Sequence, residues 1–98
     1  MGQFDGRIAL ITGSGSGIGR ATALIMAERG ADIAVLDRNM EGAEETAEKV
    51  RALGRSAKIW EADVTDFGAM AEAVKAVDGA FGKIDVLVNN AGVSSDRC

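Results

Sequence analysis

One stretch decides the fold of this 98-residue chain: Ile8-Ala9-Leu10-Ile11-Thr12-Gly13-Ser14-Gly15-Ser16-Gly17-Ile18-Gly19. An apolar run enters the glycine-rich turn and an amphipathic segment, residues 20–29, leaves it, so the order is strand, turn, helix. A helix start presents unpaired backbone N–H groups and the positive end of the helix dipole. Glycines let a phosphate approach that backbone closely. The stretch therefore predicts a turn that holds the diphosphate of a dinucleotide.

Outward from the turn, apolar runs alternate with helical periodicity to the end of the chain. Four predicted strands cover Gly6–Ile11, Asp32–Leu36, Ser56–Glu61 and Ile84–Val88. Three predicted helices cover about Gly17–Arg29, Met40–Leu53 and the segment from a cap at Thr65 or Asp66 to Phe81. The pattern βαβαβαβ indicates a single α/β domain over residues 1–98, with a parallel sheet and right-handed crossovers. Consecutive apolar residues in the strands indicate helices on both faces of that sheet.

Each predicted helix has an apolar stripe at three- and four-residue spacing, which we expect to face the sheet. The stripes are Ile18, Ala21 and Ile25 with Leu24 beside them, then Ala43, Ala47, Val50 and Leu53, then Phe67, Met70, Val74, Val77 and Phe81. Glycines at positions 30, 54 and 82 are predicted to end the helices.

Composition excludes several classes of function. The net charge of -4 argues against a nucleic-acid partner, which favours a basic face. The chain has no His and no Tyr, so neither side chain serves as an acid or base, and no Cys/His cluster exists for a metal. The apolar runs are too short to span a membrane, and no signal peptide is recognisable. With Cys98 as the one cysteine, we expect a cytoplasmic protein.

The glycine turn reads T-G-x-x-x-G-x-G over Thr12 to Gly19. It is not G-x-G-x-x-G, because Ile18 occupies the last position when counted from Gly13. It is not a phosphate-binding loop of the Walker type either, since no Lys follows the last glycine. The alternative is a flexible loop without function, but its position between a buried strand and an amphipathic helix favours cofactor binding.

Asp37 ends the second predicted strand, where a nucleotide fold places the adenosine ribose. A carboxylate there accepts hydrogen bonds from both ribose hydroxyls and repels a 2′-phosphate. Two unit charges about 4 Å apart repel by roughly 4 kcal/mol at an effective dielectric of about 20, and by less where water reaches them. This predicts NAD over NADP. Arg38 complicates the prediction because it could accept a 2′-phosphate; we expect the acid to dominate and Arg38 to stack near the adenine. A plain turn residue is the alternative for Asp37.

Two further strand ends carry polar or small residues. Asp63 can accept from the adenine amino group and Val64 can donate its backbone N–H, although a helix-capping role for Asp63 is an equal alternative. After the fourth strand comes Asn89-Asn90-Ala91-Gly92, at the sheet edge where parallel sheets bind ligands. Its Asn side chains can tie strand ends together, and its small residues let a cofactor pass; an ordinary turn is the alternative.

Together, the glycine turn, Asp37, Asp63-Val64 and Asn89-Asn90-Ala91-Gly92 resemble the cofactor half of the short-chain dehydrogenase/reductase family, in order and spacing. The resemblance covers nearly the whole chain. It implies a Rossmann-like sheet of strand order 3-2-1-4, truncated relative to the full family fold, and NAD as cofactor. It implies that Gly13, Ser16, Gly17 and Ile18 surround the diphosphate and that Asp37 contacts the ribose. It also implies that Asp63 and Val64 contact the adenine, and that Asn90, Ala91 and Gly92 lie along the ribose and the sheet.

The family's catalytic Ser, Tyr and Lys lie beyond the fourth strand, and no residue here matches them, since Ser94 and Ser95 come too early. We therefore expect the NAD-binding part of an oxidoreductase that moves a hydride between NAD(H) and an alcohol or ketone, inactive on its own. The alternatives are a non-catalytic half-Rossmann nucleotide-binding module and an oligomerising module. In either case the fourth-strand edge would pair with a second copy or with a complementing C-terminal segment.

Overall fold

The computed structural model describes residues 2–90 as a parallel sheet with three helices. The elements are β1 (Ile8–Thr12), α1 (Gly17–Glu28), β2 (Asp32–Asp37), α2 (Met40–Ala52), β3 (Ala57–Glu61), α3 (Phe67–Phe81) and β4 (Val86–Asn89). All seven predicted elements are present, and their ends differ from the predicted ends by two residues at most. None of the helices in this part of the chain is both long enough and apolar enough to cross a membrane.

The strands are hydrogen-bonded in the order β3-β2-β1-β4, all parallel, which confirms the predicted order 3-2-1-4. β1 is central: Thr12 lies opposite Leu36 of β2 on one side and opposite Asn89 of β4 on the other. The carboxyl ends of three strands therefore meet beside the glycine turn. The chain adds β2 and β3 on one side of β1 and then adds β4 on the other side, so the direction of winding reverses at β1. Open α/β sheets bind ligands at such a point.

Helices α1 and α2 cover one face of the sheet. Alternate residues of β1 and β2, Ala9, Ile11, Ile33 and Val35, are fully buried beneath them. The helical side of this core is built from small and medium side chains, namely Ala23, Met26, Ala27, Ala43, Ala47 and Val50. Val86 and Val88 of β4 belong to the same face but are only partly buried.

Helix α3 covers the opposite face. Leu10, Ala34 and Leu36 point to this side and are fully buried against Ala73 and Val77 of the helix. Partly buried residues close the edges of this second core: Trp60, Val64, Met70, Phe81 and Ile84. Helices on both faces explain why the central strands carry apolar residues at consecutive positions, over residues 8–11 and 33–36.

The predicted apolar stripe of α1 is largely wrong, although Leu24 is partly buried and packs against the core. Ile18 and Ile25 are 69% and 49% exposed, and Ala21 is exposed as well. The face that packs on the sheet is instead formed by Gly19, Ala23, Met26 and Ala27. Both sets have helical spacing, but only the small side chains allow α1 to lie close to β1, because a Cβ at Gly19 would overlap the carbonyl of Gly13.

The predicted stripes of the other two helices are partly wrong. Ala43, Ala47 and Val50 of α2 are buried as expected, whereas Leu53 lies past the helix and is exposed. In α3, Val77 is buried, but Phe67 is 88% exposed and Val74 is exposed too. Phe67 is the first helical residue and Val74 is rotated away from the sheet, so Ala73 takes the buried position.

Helix ends follow the sequence signals closely. Asp66 caps α3 by accepting a hydrogen bond from the backbone N–H of Ala69 at 3.0 Å, which decides between the two predicted caps. Gly82 ends α3 in the left-handed conformation, with φ of 85°. Gly30 and Gly54 also have positive φ, but each lies one residue beyond the cap itself, which is Arg29 in α1 and Leu53 in α2.

Candidate functional site

The glycine turn joins β1 directly to the start of α1. Gly13 and Gly17 have φ values of 64° and 57°, a left-handed conformation that favours glycine. Ser16 is the N-terminal cap residue, and its side chain makes no capping hydrogen bond. The first turn of α1 contains no acidic side chain. No side chain of this first turn therefore offsets the partial positive charge of the helix end, which can bind an external anion.

Glycines are also needed where the turn meets its neighbours. A Cβ at Gly15 would lie 2.7 Å from Oδ2 of Asp37, and one at Gly42 would lie 2.5 Å from the carbonyl oxygen of Gly15. Both distances are shorter than real Cβ contacts, so any side chain at either position would push the turn away from α2 or from Asp37. Together with Gly19, these glycines hold β1, the turn and α2 at close range.

Asp37 lies beside the turn, half-buried at the end of β2. Its Oδ2 accepts a hydrogen bond from the backbone N–H of Gly15 at 2.8 Å, and its Oδ1 accepts one from the backbone N–H of Asn39 at 3.0 Å. Both carboxylate oxygens are thus fixed by backbone donors, and each keeps lone-pair capacity for a further donor. The sequence located this residue correctly but gave no sign of its bond to the turn.

A small pocket of about 60 Å³ opens between the turn and the ends of β2 and β3. Its lining residues are Gly13, Asp37, Arg38, Ala62 and Val64. Ligand pockets in proteins usually measure roughly 300–1,000 Å³, so this pocket can accept one part of a ligand rather than all of it. It brings four of the predicted site residues, Gly13, Asp37, Arg38 and Val64, to one place.

Asp63 borders this region without lining the pocket. It does not cap α3; its Oδ1 accepts from the backbone N–H and from the hydroxyl of Thr65, at 2.9 and 2.7 Å. These bonds, first the one from the hydroxyl and then the one from the backbone, together with the charge of Arg38, lower the pKa of Asp63. Nη1 of the exposed Arg38 side chain is 3.8 Å from Oδ2 of Asp63, so the two charges face each other across the mouth of the site.

The end of β4 is tied to the turn by asparagine side chains, as the sequence suggested. The hydroxyl of Thr12 donates to Oδ1 of Asn89 at 3.1 Å, and Nδ2 of Asn90 donates to the carbonyl of Gly13 at 3.4 Å. Ala91 and Gly92, the other two predicted site residues here, lie outside the described residues.

Three polar side chains behind the turn were not predicted, namely those of Ser14, Arg20 and Thr46. The hydroxyl of Ser14 donates to the carbonyl of Ile11 at 2.7 Å and accepts from the backbone N–H of Leu36 at 3.2 Å. The buried hydroxyl of Thr46 donates to the carbonyl of Ser14 at 2.7 Å. Nε of Arg20 donates to the same hydroxyl at 2.8 Å. These side chains attach the turn to β2 and to α2.

With this geometry in view, comparison with known proteins gives the family. The family model described as short chain dehydrogenase matches residues 7–98. The chain belongs to the short-chain dehydrogenase family.

Among curated short-chain dehydrogenase relatives, it is 44% identical over 92 residues to D-threitol dehydrogenase of Mycolicibacterium smegmatis, which covers 94% of this chain and 35% of that protein. It is also 44% identical over 90 residues to 2,3-dihydro-2,3-dihydroxybenzoate dehydrogenase of Bacillus subtilis, covering 92% and 34% of the two chains. The chain thus spans about a third of the length of the curated relatives it matches.

Solved short-chain dehydrogenase structures share the fold. NAD+-bound xylitol dehydrogenase aligns with a TM-score of 0.84 at 45% identity, covering 87% of this chain and 33% of that one. Carveol dehydrogenase from Mycobacterium avium in complex with NAD aligns with a TM-score of 0.90 at 34% identity, covering 98% and 39%. At these identities the chain corresponds to the N-terminal, cofactor-binding part of the family fold.

Proposed function

We propose that this chain binds NAD across the carboxyl ends of β1, β2 and β4. In this arrangement the diphosphate lies against the start of α1, the ribose hydroxyls donate to Asp37, and the adenine lies at the pocket near Val64. The observation that carries the proposal is that the Asp37 carboxylate is held 2.8 Å from the backbone N–H of Gly15, beside a helix start with no acidic side chain. A ribose acceptor and an anion-binding helix end are therefore adjacent.

Each predicted cofactor contact has its own place in this proposal. Gly13, Ser16, Gly17 and Ile18 surround the diphosphate, and Asp63 accepts from the adenine amino group while Val64 donates its N–H to the ring. Asn90, Ala91 and Gly92 lie along the nicotinamide ribose. For the contacts in the pocket, the support is that Val64, Asp37 and Arg38 line the same cavity.

NAD is preferred to NADP in this proposal. The Asp37 carboxylate repels a 2′-phosphate, and Arg38, the nearest candidate to neutralise that phosphate, has its guanidinium 3.8 Å from Asp63. Two similar structures, xylitol dehydrogenase and carveol dehydrogenase, were solved with NAD. Isothermal titration calorimetry of the chain with each cofactor tests this: we expect at least tenfold tighter binding of NAD, and equal affinities would contradict it.

For the whole protein we propose hydride transfer between NAD(H) and an alcohol or ketone, as the names of the curated relatives suggest. This chain contains no Tyr and nothing that matches the family's catalytic Ser and Lys, so it does not catalyse that reaction alone. An assay of NAD reduction with a panel of secondary alcohols should show no turnover above buffer. Sustained turnover by the purified chain would contradict this assignment.

A second candidate is an assembling module whose sheet is completed by another chain segment. Leu87 of β4, an edge strand, is 59% exposed, and Ile18 and Ile25 of α1 are exposed as well. Exposed apolar strand edges pair readily. We propose that a second copy or a complementing C-terminal segment covers this edge, and that neither a nucleic acid nor a membrane does, given the net charge of -4.

Sedimentation velocity over a wide concentration range tests this module. The chain should dimerise, and Leu87→Lys should abolish dimerisation by placing a charge on the edge. Glu48→Lys on the exposed face of α2 is the control and should leave the dimer unchanged. Two results together would rule out the assembling role: the chain stays monomeric at every concentration, and a complementing C-terminal segment does not bind to it.

We also propose that the protein acts in the cytoplasm, since the one cysteine of this chain permits no disulfide within it. Fractionation of the source cells, followed by immunodetection, should find the chain in the cytosolic fraction. Detection in an exported or membrane fraction would contradict this.

A further inference from the structure

The side chain of Arg20, in the first turns of α1, reaches across to α2 and back to the glycine turn. Nη2 lies 2.6 Å from the carbonyl oxygen of Gly15 and 3.1 Å from that of Gly42. It is also 3.0 Å from the Glu45 carboxylate, while Nε donates to the hydroxyl of Thr46 at 2.8 Å. One guanidinium group thus hydrogen-bonds both to the glycine turn and to residues spread over one helical turn of α2.

Three successive carbonyls of the glycine turn each accept a hydrogen bond from a side chain outside the turn. Asn90 donates to Gly13, Thr46 to Ser14 and Arg20 to Gly15. In a planar trans peptide, the carbonyl and the N–H of the next residue point in opposite directions. Fixing a carbonyl inward therefore turns the following N–H outward.

The direction of the N–H group matters at two of these peptides, the ones that follow Ser14 and Gly15. The carbonyl of Ser14 is held by Thr46, and the N–H on the other side of that peptide, from Gly15, donates to Asp37. The carbonyl of Gly15 is held by Arg20, and the N–H on the other side belongs to Ser16. That group lies at the exposed start of α1, where the diphosphate is proposed to bind.

We infer that Arg20 is a positioning residue for the diphosphate: it acts through the Gly15 carbonyl, which fixes the direction of the Ser16 N–H, and not by direct contact with the phosphate. The inference rests on the proposed function. The guanidinium already donates to four acceptors, one in the glycine turn and three on α2, and the Glu45 carboxylate at 3.0 Å offsets its charge. Lys could not replace it, because one ammonium lacks the planar fork that reaches Thr46 and Gly15 together.

The test compares ligands with and without phosphate. The variants Arg20→Met and Arg20→Lys are titrated with NAD and ADP by calorimetry, and with adenosine by NMR. We expect at least a tenfold loss of affinity for NAD and ADP in both variants, with adenosine affinity within twofold of wild type. The amide signal of Ser16 should shift in the ligand-free variants. Glu45→Gln, which removes only the exposed ion pair, should bind NAD within twofold of wild type.

Several results would overturn the inference. Wild-type ADP affinity in Arg20→Met would do so, and an equal loss for ADP and adenosine would indicate a merely structural role. Full recovery of affinity in Arg20→Lys would indicate that the charge alone matters. If Arg20→Met does not fold, Arg20→Lys, which keeps the charge and the aliphatic stem, supplies the same comparison.

Failure of the proposed function is distinguishable from failure of the inference. If the proposed function is wrong, the wild-type chain itself binds neither NAD nor ADP. The amide shift of Ser16 in the ligand-free variants then decides the positioning role, since an unmoved signal would contradict it.

Discussion

The carboxylate of Asp37 and the backbone N–H of Gly15 are joined by a 2.8 Å hydrogen bond across 22 positions of the chain. The bond links the end of β2 to the middle of the glycine turn. Any change in the side chain that is proposed to read the ribose is therefore transmitted to the turn that is proposed to hold the diphosphate. The two parts of the cofactor site form one unit, and substitutions in either part should affect both.

Gly15→Ala tests this unit from the side of the turn. The new methyl group would lie 2.7 Å from Oδ2 of Asp37 and 3.1 Å from the backbone nitrogen of Ala43. Forced overlap in a well-packed site costs roughly 1–3 kcal/mol, so we expect that loss of stability by urea denaturation and weaker NAD binding by calorimetry.

The control for this prediction is Gly79→Ala on α3, where a Cβ meets nothing within 4 Å. Ala is favoured over Gly inside a helix by roughly 0.5–1 kcal/mol, so this variant should gain stability and bind NAD as wild type does. Unchanged stability and NAD affinity in Gly15→Ala would show that the turn relaxes freely and is not held against Asp37.

Asp37→Asn tests the preference between cofactors. The amide removes the negative charge that faces a 2′-phosphate but keeps one oxygen as an acceptor. We expect the ratio of NAD to NADP affinity to fall at least tenfold, which corresponds to about 1.4 kcal/mol. Calorimetric titration with both cofactors gives the ratio directly.

Asp32→Asn supplies the matched control at the opposite end of β2. Asp32 bonds to Arg55 and to the backbone N–H of Ser56, far from the turn, so this change should leave the affinity ratio unaltered even where it lowers stability. If Asp37→Asn leaves the ratio of NAD to NADP affinity unaltered, residues of the site other than Asp37 determine the cofactor preference.

The sequence is sufficient to predict the seven elements and the position of the turn, because those features depend on periodicity and on backbone chemistry, whereas the strand order was implied by the resemblance to the short-chain dehydrogenase/reductase family. Apolar runs at every position mark strands buried on both faces, and Gly82 marks the end of α3 through its positive φ. Such signals are local, so they survive without knowledge of what each element packs against.

The faces of α1 could not be predicted in the same way, because its apolar residues fit two stripes. Choosing by side-chain size selects Ile18 and Ile25, but the sheet accepts α1 only through small residues such as Gly19 and Ala23. The distance between helix and strand decides between the two faces, and that distance is a tertiary property.

The network behind the turn was missed for a related reason. Arg20, Thr46 and Ser14 are ordinary helix or turn residues in sequence, and what gives them a role is the approach of α2 to the turn. Gly42 carried a usable signal, since a glycine early in a helix is unfavourable unless something packs closely against it. In the structure, the carbonyl of Gly15 occupies that space.

Thr46→Val should reveal how much of the stability depends on this network. Thr46 is fully buried, and its hydroxyl bonds both the carbonyl of Ser14 and Nε of Arg20. Valine has the same shape but leaves both groups without that partner, and an unsatisfied buried polar group costs about 1–3 kcal/mol. We expect a loss of this size in the free energy of unfolding, measured with urea.

Thr22→Val is the control for Thr46→Val, since the hydroxyl of Thr22 bonds only to the carbonyl of Ile18, one turn earlier on the exposed side of α1. A surface change of this kind should stay within about 0.5 kcal/mol of wild type. Equal effects of the two substitutions would mean that the buried hydroxyl contributes no more than an exposed one.

Asp85 provides a prediction about pH. Its Oδ2 accepts from the backbone N–H of Ile8 at 2.8 Å and lies 3.2 Å from Nζ of Lys83, just before β4 pairs with β1. The bond from Ile8, with the charges of Lys83 and Arg7, holds the pKa of Asp85 below its usual value, although burial opposes the shift. The folded state therefore binds the proton less readily than the unfolded chain, in which the pKa is about 3.9.

The stabilisation by Asp85 is consequently complete above about pH 4 and is lost as the pH falls through the lowered pKa of the folded state. Asp85→Asn should have a lower Tm than wild type between roughly pH 5 and 8, and the two Tm values should converge only as the pH falls below the lowered pKa of the folded state. Thermal melts followed by circular dichroism measure both curves, with Glu48→Gln as a control for the loss of one negative charge. A Tm difference that persists undiminished in acid would show that the anchoring of β4 does not depend on the charge of this carboxylate.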